Sequence, residues 1–271
     1  DDENLEALSD MMDAMHLSPR EFVEGKMQIP IYRAIYLDRM LEEHEDFYVQ
    51  RDANFRRLVK DFKTVKESDY EIPASLEPVM RNYQIYGHKW LRTLETCGFG
   101  GILADDMGLG KTLQMISVIL ASERTLPSLI VCPASLVYNW EEEFARFAPE
   151  IRVQVIAGAQ EQRRELLEQY TNWDVLITSY DLLKRDIAEY EKLHFGYEVL
   201  DEAQYIKNQK AATTKAVKSL KARHRFALTG TPIENRLAEL WSIFDFIMPG
   251  FLYRYSEFSE RYETPIAKHA D

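Results

Sequence analysis

Six short apolar runs rich in β-branched residues recur at intervals of about 20 to 30 residues, and they restrict the fold more than any other feature. They are GILA at 101–104, SLIVCP at 128–133, VQVIA at 153–157, DVLITS at 174–179, YEVLDE at 197–202 and RFALTGT at 225–231. Each is apolar nearly throughout, the pattern of a strand buried on both faces. Between them lie amphipathic helix candidates, Leu113 to Ala121, Ser135 to Phe147 and Gln160 to Tyr170. Strand and helix in alternation mean an α/β fold, a parallel sheet with helices on both faces. Ligands of such sheets bind beyond the carboxyl ends of the strands. The loops at Lys111, at Asp201-Glu202 and at Thr229-Gly230-Thr231 therefore meet on one edge.

The first of those loops is DDMGLGKT, Asp105 to Thr112, placed directly after the run 101–104. Its layout is that of a phosphate-binding loop. Backbone N–H groups freed by Gly108 and Gly110 can point at a triphosphate, Lys111 can reach the outer phosphates, and the Thr112 hydroxyl can hold magnesium. The helix beginning near Lys111 adds its positive dipole end. The usual loop has glycine five residues before the Gly-Lys pair, and here that position is Asp105. Some ninety residues on, the run Val199-Leu200 ends in Asp201-Glu202. One carboxylate there can serve Mg2+ and the second can polarise an attacking water, the pair that phosphoryl transfer to water needs. A solvated strand end is the plainer reading of that pair, and its order and spacing relative to Lys111 favour a nucleotide site.

Composition narrows the classes. The 271 residues are 46% hydrophobic and 29% charged, a globular profile. No apolar run approaches the ~20 residues that cross a bilayer, and DDENLEAL is not a signal peptide. The chain lacks an initiator methionine, so a piece of a longer protein is expected. Cys97 and Cys132 lie in apolar company, which suggests buried thiols in a reducing cytoplasm, and the six histidines lack zinc-ligand spacing. Net charge is −12, unevenly spread: residues 1 to 75 carry 18 Asp+Glu against 10 Lys+Arg, and the rest 27 against 23. Any nucleic-acid contact is then a local groove of N–H donors, hydroxyls and a few cations, not a basic face. We read residues 1–75 as a mostly helical, acidic accessory segment, with helical spacing at Ile31, Ile35, Leu37 and Leu41 and again at Phe55, Leu58, Val59 and Phe62. Residues 76–271 form the α/β lobe.

Seven blocks in order carry a resemblance to a known family: RNYQ at 81–84, GHKWL at 87–91, GILADDMGLGKT at 101–112, IVCPASLVYNW at 130–140, LITSYDLL at 176–183, LDEAQYIKN at 200–208 and ALTGTPIENRLAELWSIFDFI at 227–247. Together they resemble the motifs of the SWI/SNF-type ATPases of helicase superfamily two, from about residue 75 to the end. The segment before them is similar to the helical extension of bacterial members. The resemblance implies the first of two RecA-like motor lobes, with the second lobe and its arginine fingers lying outside this chain. It also implies ATP and Mg2+ as cofactors, double-stranded DNA and DNA-bound protein such as polymerase as partners, no membrane, and a bacterial cytosol or nucleoid location. Such a motor tracks along duplex and remodels bound protein; a superfamily-two motor acting on RNA or in restriction, or a nucleotide-gated binding module, are the alternatives.

The resemblance also assigns roles. Arg81, Gln84, Asp106, Met107, Gly108, Leu109, Gly110, Lys111 and Thr112 fall in the nucleotide-binding blocks, with Gln84 as reader of adenine; an exposed helix residue is the plain alternative for Gln84. Lys111 and Glu202 are the catalytic pair, and Thr112 and Asp201 hold the metal. Gln204, Thr229, Gly230 and Thr231 couple the phosphate site to DNA grip, with Gln204 standing where relatives often have histidine. An amide can bridge there but cannot titrate. Ser135, Asn139, Thr178, Ser179 and Tyr180 fall where the family grips one DNA strand by its phosphates. Ser135 as a helix cap and Trp140 as core packing remain the competing readings.

Overall fold

The computed structural model describes residues 34, 35, 38, 50–64, 69–106, 108–231, 237–252 and 254–264. The chain divides into two compact units, Asp1–Ser68 with Thr96–Gly98, and Asp69–Glu95 with Phe99–Asp271. In the first, helix α1 (Ala53–Lys63) starts where Asp52 accepts a hydrogen bond from the Phe55 N–H at 2.7 Å, a side-chain N-cap. Its Phe55, Leu58 and Val59 are half-buried while the charged positions between them are exposed, as the spacing predicts. Of the helical spacing expected at Ile31, Ile35, Leu37 and Leu41, all but Ile35 lies outside the described residues.

The second unit holds six strands, β1 (Gly101–Leu103), β2 (Ser128–Cys132), β3 (Val153–Val155), β4 (Val175–Ser179), β5 (His194–Leu200) and β6 (Lys221–Leu228). They form one parallel sheet in the order β1-β6-β5-β2-β4-β3. Between them run α2 (Asn82–Thr96, before β1), α3 (Lys111–Ala121), α4 (Val137–Phe147), α5 (Gln160–Glu168), α6 (Tyr180–Arg185), α7 (Ile187–Tyr190) and α8 (Ala212–Ser219), and α9 (Leu237–Ile247) follows the last strand. All six apolar runs are strands. β2 and β4 are buried at every position, since both are interior strands covered on both faces. β5 and β6 begin earlier than the runs suggest, at the polar residues His194 and Lys221, and end before Asp201 and Thr229. Their amino-terminal residues alternate between exposed and more buried positions, so a hydrophobicity reading misses this part of the ladder.

Helix α3 is less amphipathic than expected: Leu113 to Ile119 are all buried. Leu113 packs with Leu76 and Met80, with Ile85 and Phe147 beside them, so this helix is enclosed on several sides. The larger cluster joins Leu129, Val131, Leu176, Leu200 and Ala227 to Phe195, Ile243 and Phe246. After α9 the chain stays attached, with Tyr255 edge-on to Trp241 at 5.3 Å.

One carboxyl group sits inside this sheet. Glu198 is fully buried in β5 and stands in register with Arg225 of β6. The Arg225 Nε lies 3.1 Å from Glu198 Oε2 but out of hydrogen-bonding direction, its other donors going to the carbonyls of Leu220, Lys218 and Phe246. Burial pushes the Glu198 carboxyl up to about 8, against the pull of Arg225. The folded form therefore holds a proton that the unfolded chain releases near pH 4.5, so this group's contribution falls as pH rises from about 4.5 to 8. Glu198→Gln should flatten the fall of melting temperature across that window; an unchanged slope would mean Glu198 is ionised in the folded protein.

Candidate functional site

The loop after β1 is shaped by two left-handed glycines, Gly108 at φ 82° and Gly110 at φ 74°. Gly110 caps α3 with no side-chain hydrogen bond, which leaves the first amides of the helix for a ligand. Lys111 folds over the loop, its Nζ donating to the carbonyls of Asp105 at 2.6 Å and Asp106 at 3.0 Å. From α2, the Tyr83 hydroxyl and the Gln84 amide both donate to the Leu109 carbonyl, at 2.9 and 3.2 Å. Gln84 is buried, and its Oε1 also accepts from the Arg81 N–H at 2.9 Å, so it is not the exposed helix residue of the plain reading. Arg81 and Asp106 are exposed. Met107 lies outside the described residues.

Facing the loop, Asp201 and Glu202 follow the end of β5. Asp201 is 8% exposed, and both carboxylate oxygens are engaged: Oδ2 accepts from Trp140 Nε1 at 2.9 Å and Oδ1 from the Glu202 N–H at 2.9 Å. Burial raises its pKa, an effect that these two donors and the Lys111 charge oppose. Glu202 has φ 50°, one of two non-glycine residues in the left-handed region among the described residues. Non-glycine residues in such backbone conformations cluster at functional sites. A cleft of about 310 Å³ lies between the loop and this pair, walled by Gly108, Lys111, Thr112, Asn139, Trp140, Asp201 and Glu202, with Leu136 and Glu143 at the side.

A chain of hydrogen bonds leaves Glu202. Gln204 Nε2 donates to Glu202 Oε2 at 2.6 Å, Thr229 Oγ1 donates to Gln204 Oε1 at 3.0 Å, and the Thr231 N–H donates to Thr229 Oγ1 at 3.1 Å. The carboxylate is thus tied through one amide to the loop after β6. Gly230 lies within that loop.

The residues expected on DNA divide. Ser135 is exposed in the turn Ala134–Leu136 and makes no cap bond to α4, so the cap reading does not hold. Asn139 is exposed too, but it lines the cleft. Thr178 is fully buried with Oγ1 donating to the Ile156 carbonyl, and Ser179 caps α6 by accepting from the Leu182 N–H at 3.3 Å. Tyr180 is buried, its hydroxyl donating to the Asp201 carbonyl at 2.7 Å. These three residues sit at the end of the interior strand β4, and each hydroxyl oxygen has a hydrogen-bond partner inside the fold. Trp140 packs against Phe144 and orients Asp201 at once, so core and site are not alternatives for it.

Sequence reading missed two residues and two contacts. Glu143 lies one helical turn past Asn139 and two past Leu136, a spacing that places all three on one face. Tyr205 stacks on Tyr180 at 4.8 Å and is 53% exposed. Neither the Tyr180 bond to Asp201 nor the Trp140 bond has a local sequence signal, because each joins residues at least 21 apart.

A parallel sheet with a glycine loop at a helix start and an Asp-Glu pair at a neighbouring strand end defines a P-loop-type nucleotide lobe. Residues 83–271 match the SNF2-related domain, and residues 1–73 match the family described as bacterial SNF2 helicase associated. The chain belongs to the SNF2 family. It is 50% identical over 188 residues to an uncharacterized ATP-dependent helicase of Mycoplasma pneumoniae, covering 68% of this chain and 18% of that one. It is 42% identical over 208 residues to the putative ATP-dependent helicase/translocase YwqA of Bacillus subtilis (75% and 23%), and 39% identical over 270 residues to the TATA-binding protein-associated factor MOT1 of Saccharomyces cerevisiae (94% and 14%). The chain thus spans less than a quarter of the length of these relatives. The fold is that of the SWI2/SNF2 ATPase core of Sulfolobus solfataricus, solved in complex with dsDNA, with TM-score 0.66 and 46% identity over 74% of this chain and 42% of that one. No helix among the described residues is long and apolar enough to cross a membrane.

The two glycines separate two costs. A Cβ on Gly108 meets nothing within 4 Å, whereas one on Gly110 would lie 2.2 Å from Gln84 Nε2. Gly108→Ala should cost about 1 kcal/mol, the left-handed penalty alone. Gly110→Ala should cost more, and adding Gln84→Ala should recover the excess; denaturant unfolding measures all three. Equal losses at the two glycines would contradict the Gln84 contact.

Proposed function

We propose that this chain is the ATP-binding first lobe of a motor that hydrolyses ATP to move along double-stranded DNA, with residues 1–75 as its accessory segment. The observation that carries the reading is the meeting of Lys111, Thr112, Asp201 and Glu202 on one cleft. Lys111 exchanges its two loop carbonyls for the outer phosphates, and the amides at the start of α3 hold the same oxygens. The hydroxyl of Thr112 and the carboxylate of Asp201 suit magnesium, a hard cation that takes oxygen ligands and shares them with phosphate. The ion would supply charge neutralisation on the phosphates. Trp140 and the Glu202 N–H aim the Asp201 carboxylate. Glu202 accepts the proton of the attacking water, and Gln204 holds its carboxylate in place.

The Gln204-Thr229-Thr231 chain carries the state of the phosphate site to the loop after β6, which gives coupling a physical route. DNA phosphates are met by exposed groups of the same edge, Ser135 first, without reading sequence. An RNA motor is the weaker reading, because the solved neighbour with 46% identity holds dsDNA.

The test uses the full-length protein. Lys111→Ala should weaken nucleotide binding. Glu202→Gln should keep affinity and lose at least about 10²-fold in turnover, the lower scale for a general base. Normal hydrolysis by Glu202→Gln would put the base elsewhere. Trp140→Phe removes a donor that favours the ionised Asp201, so the acid limb of the pH profile of magnesium-dependent turnover should move to higher pH. An acid limb that stays in place would detach Asp201 from the metal.

A further inference from the structure

Asp105 stands where the phosphate loop usually has glycine, and its position poses a problem of charge. A carboxylate that close to Lys111 is a natural partner for the ammonium, and an internal ion pair there would compete with the phosphates of any nucleotide. The pair does not form. Lys111 Nζ meets the backbone carbonyl of Asp105, while the side chain is held elsewhere: Gln114 Nε2 donates to Asp105 Oδ2 at 3.0 Å.

The amide is itself tightly seated. Gln114 is 1% exposed, one turn into α3. Its Oε1 occupies the space left by the missing Cβ of Gly87 in α2, where a Cβ would lie 1.8 Å away. Its backbone carbonyl accepts from Ser117 Oγ at 2.6 Å, and that hydroxyl meets His88 Nδ1 at 2.8 Å, so the packing of α2 on α3 fixes the segment that carries the amide.

We propose that Gln114 is a positioning residue that keeps the Asp105 carboxylate off Lys111, so that the ammonium stays available to phosphate. This rests on the nucleotide reading of the Lys111 loop. Without the amide, Asp105 turns to the ammonium and nucleotide must break an ion pair to bind. The competition is worth what a partly exposed pair is worth, about fivefold in affinity at the upper end.

Binding of a fluorescent Mg-ATP analogue to the full-length protein is titrated at matched folded fraction. Gln114→Leu should weaken affinity by about three- to fivefold, and Asp105→Asn in the Gln114→Leu background should restore it. Gln114→Met takes the place of Leu if the first variant does not fold. Weakening without restoration would make Gln114 merely a packing residue and overturn the proposal, as would unchanged affinity in Gln114→Leu. If the wild-type protein binds no nucleotide, or Lys111→Ala binds as well as it does, the nucleotide reading itself fails; wild-type binding that needs Lys111 with no effect at Gln114 sinks this inference alone.

Discussion

The site depends on backbone hydrogen bonds that run past the strand ends. The Asp201 N–H donates to the Val131 carbonyl at 2.8 Å, and the Thr229 N–H to the Leu103 carbonyl at 3.1 Å. Each continues a parallel ladder by one residue beyond its strand, so the loops after β5 and β6 leave the sheet at fixed heights. Parallel register therefore sets where the carboxylate and the threonine stand, and the side chains only refine it. A one-residue slip would turn Asp201 to the other face of the sheet.

On that frame the polar groups are joined in one set of hydrogen bonds. Asp201 is held by an indole, an amide and, through its carbonyl, a tyrosine hydroxyl; Glu202 is held by Gln204, which is held by Thr229. Buried networks of this kind are costly when half satisfied and specifying when complete. Here they hold the two carboxylates in place, which suits the proposed chemistry, since charge fixed in position is what lowers such barriers. The exposed ring of Tyr205, stacked on Tyr180, brings the surface within two contacts of the Asp201 backbone.

Much of this was legible in the residues. The six apolar runs marked six strands because strands of a parallel sheet covered on both faces are apolar over most of their length, and Gly108 and Gly110 announced a tight turn before a helix. What the sequence concealed was the direction of side chains. Nothing in the run from Thr178 to Tyr180 tells that Thr178 donates to the Ile156 carbonyl and Tyr180 to the Asp201 carbonyl. Trp140 reads as core, and only its distant partner shows that it also orients a carboxylate. Glu198 is hidden for a further reason: a single acid in an apolar strand looks like a surface position until its cross-strand neighbour is known.

The central claim is that ATP turnover at the Lys111 and Glu202 cleft is coupled to duplex DNA through the loops of this edge. Steady-state ATPase of the full-length protein, measured with duplex DNA, single-stranded DNA and RNA at one salt concentration, tests it most directly. Stimulation by duplex well above the other two, lost in Glu202→Gln, is the predicted result. Equal stimulation by all three, or greater stimulation by RNA, would contradict the account.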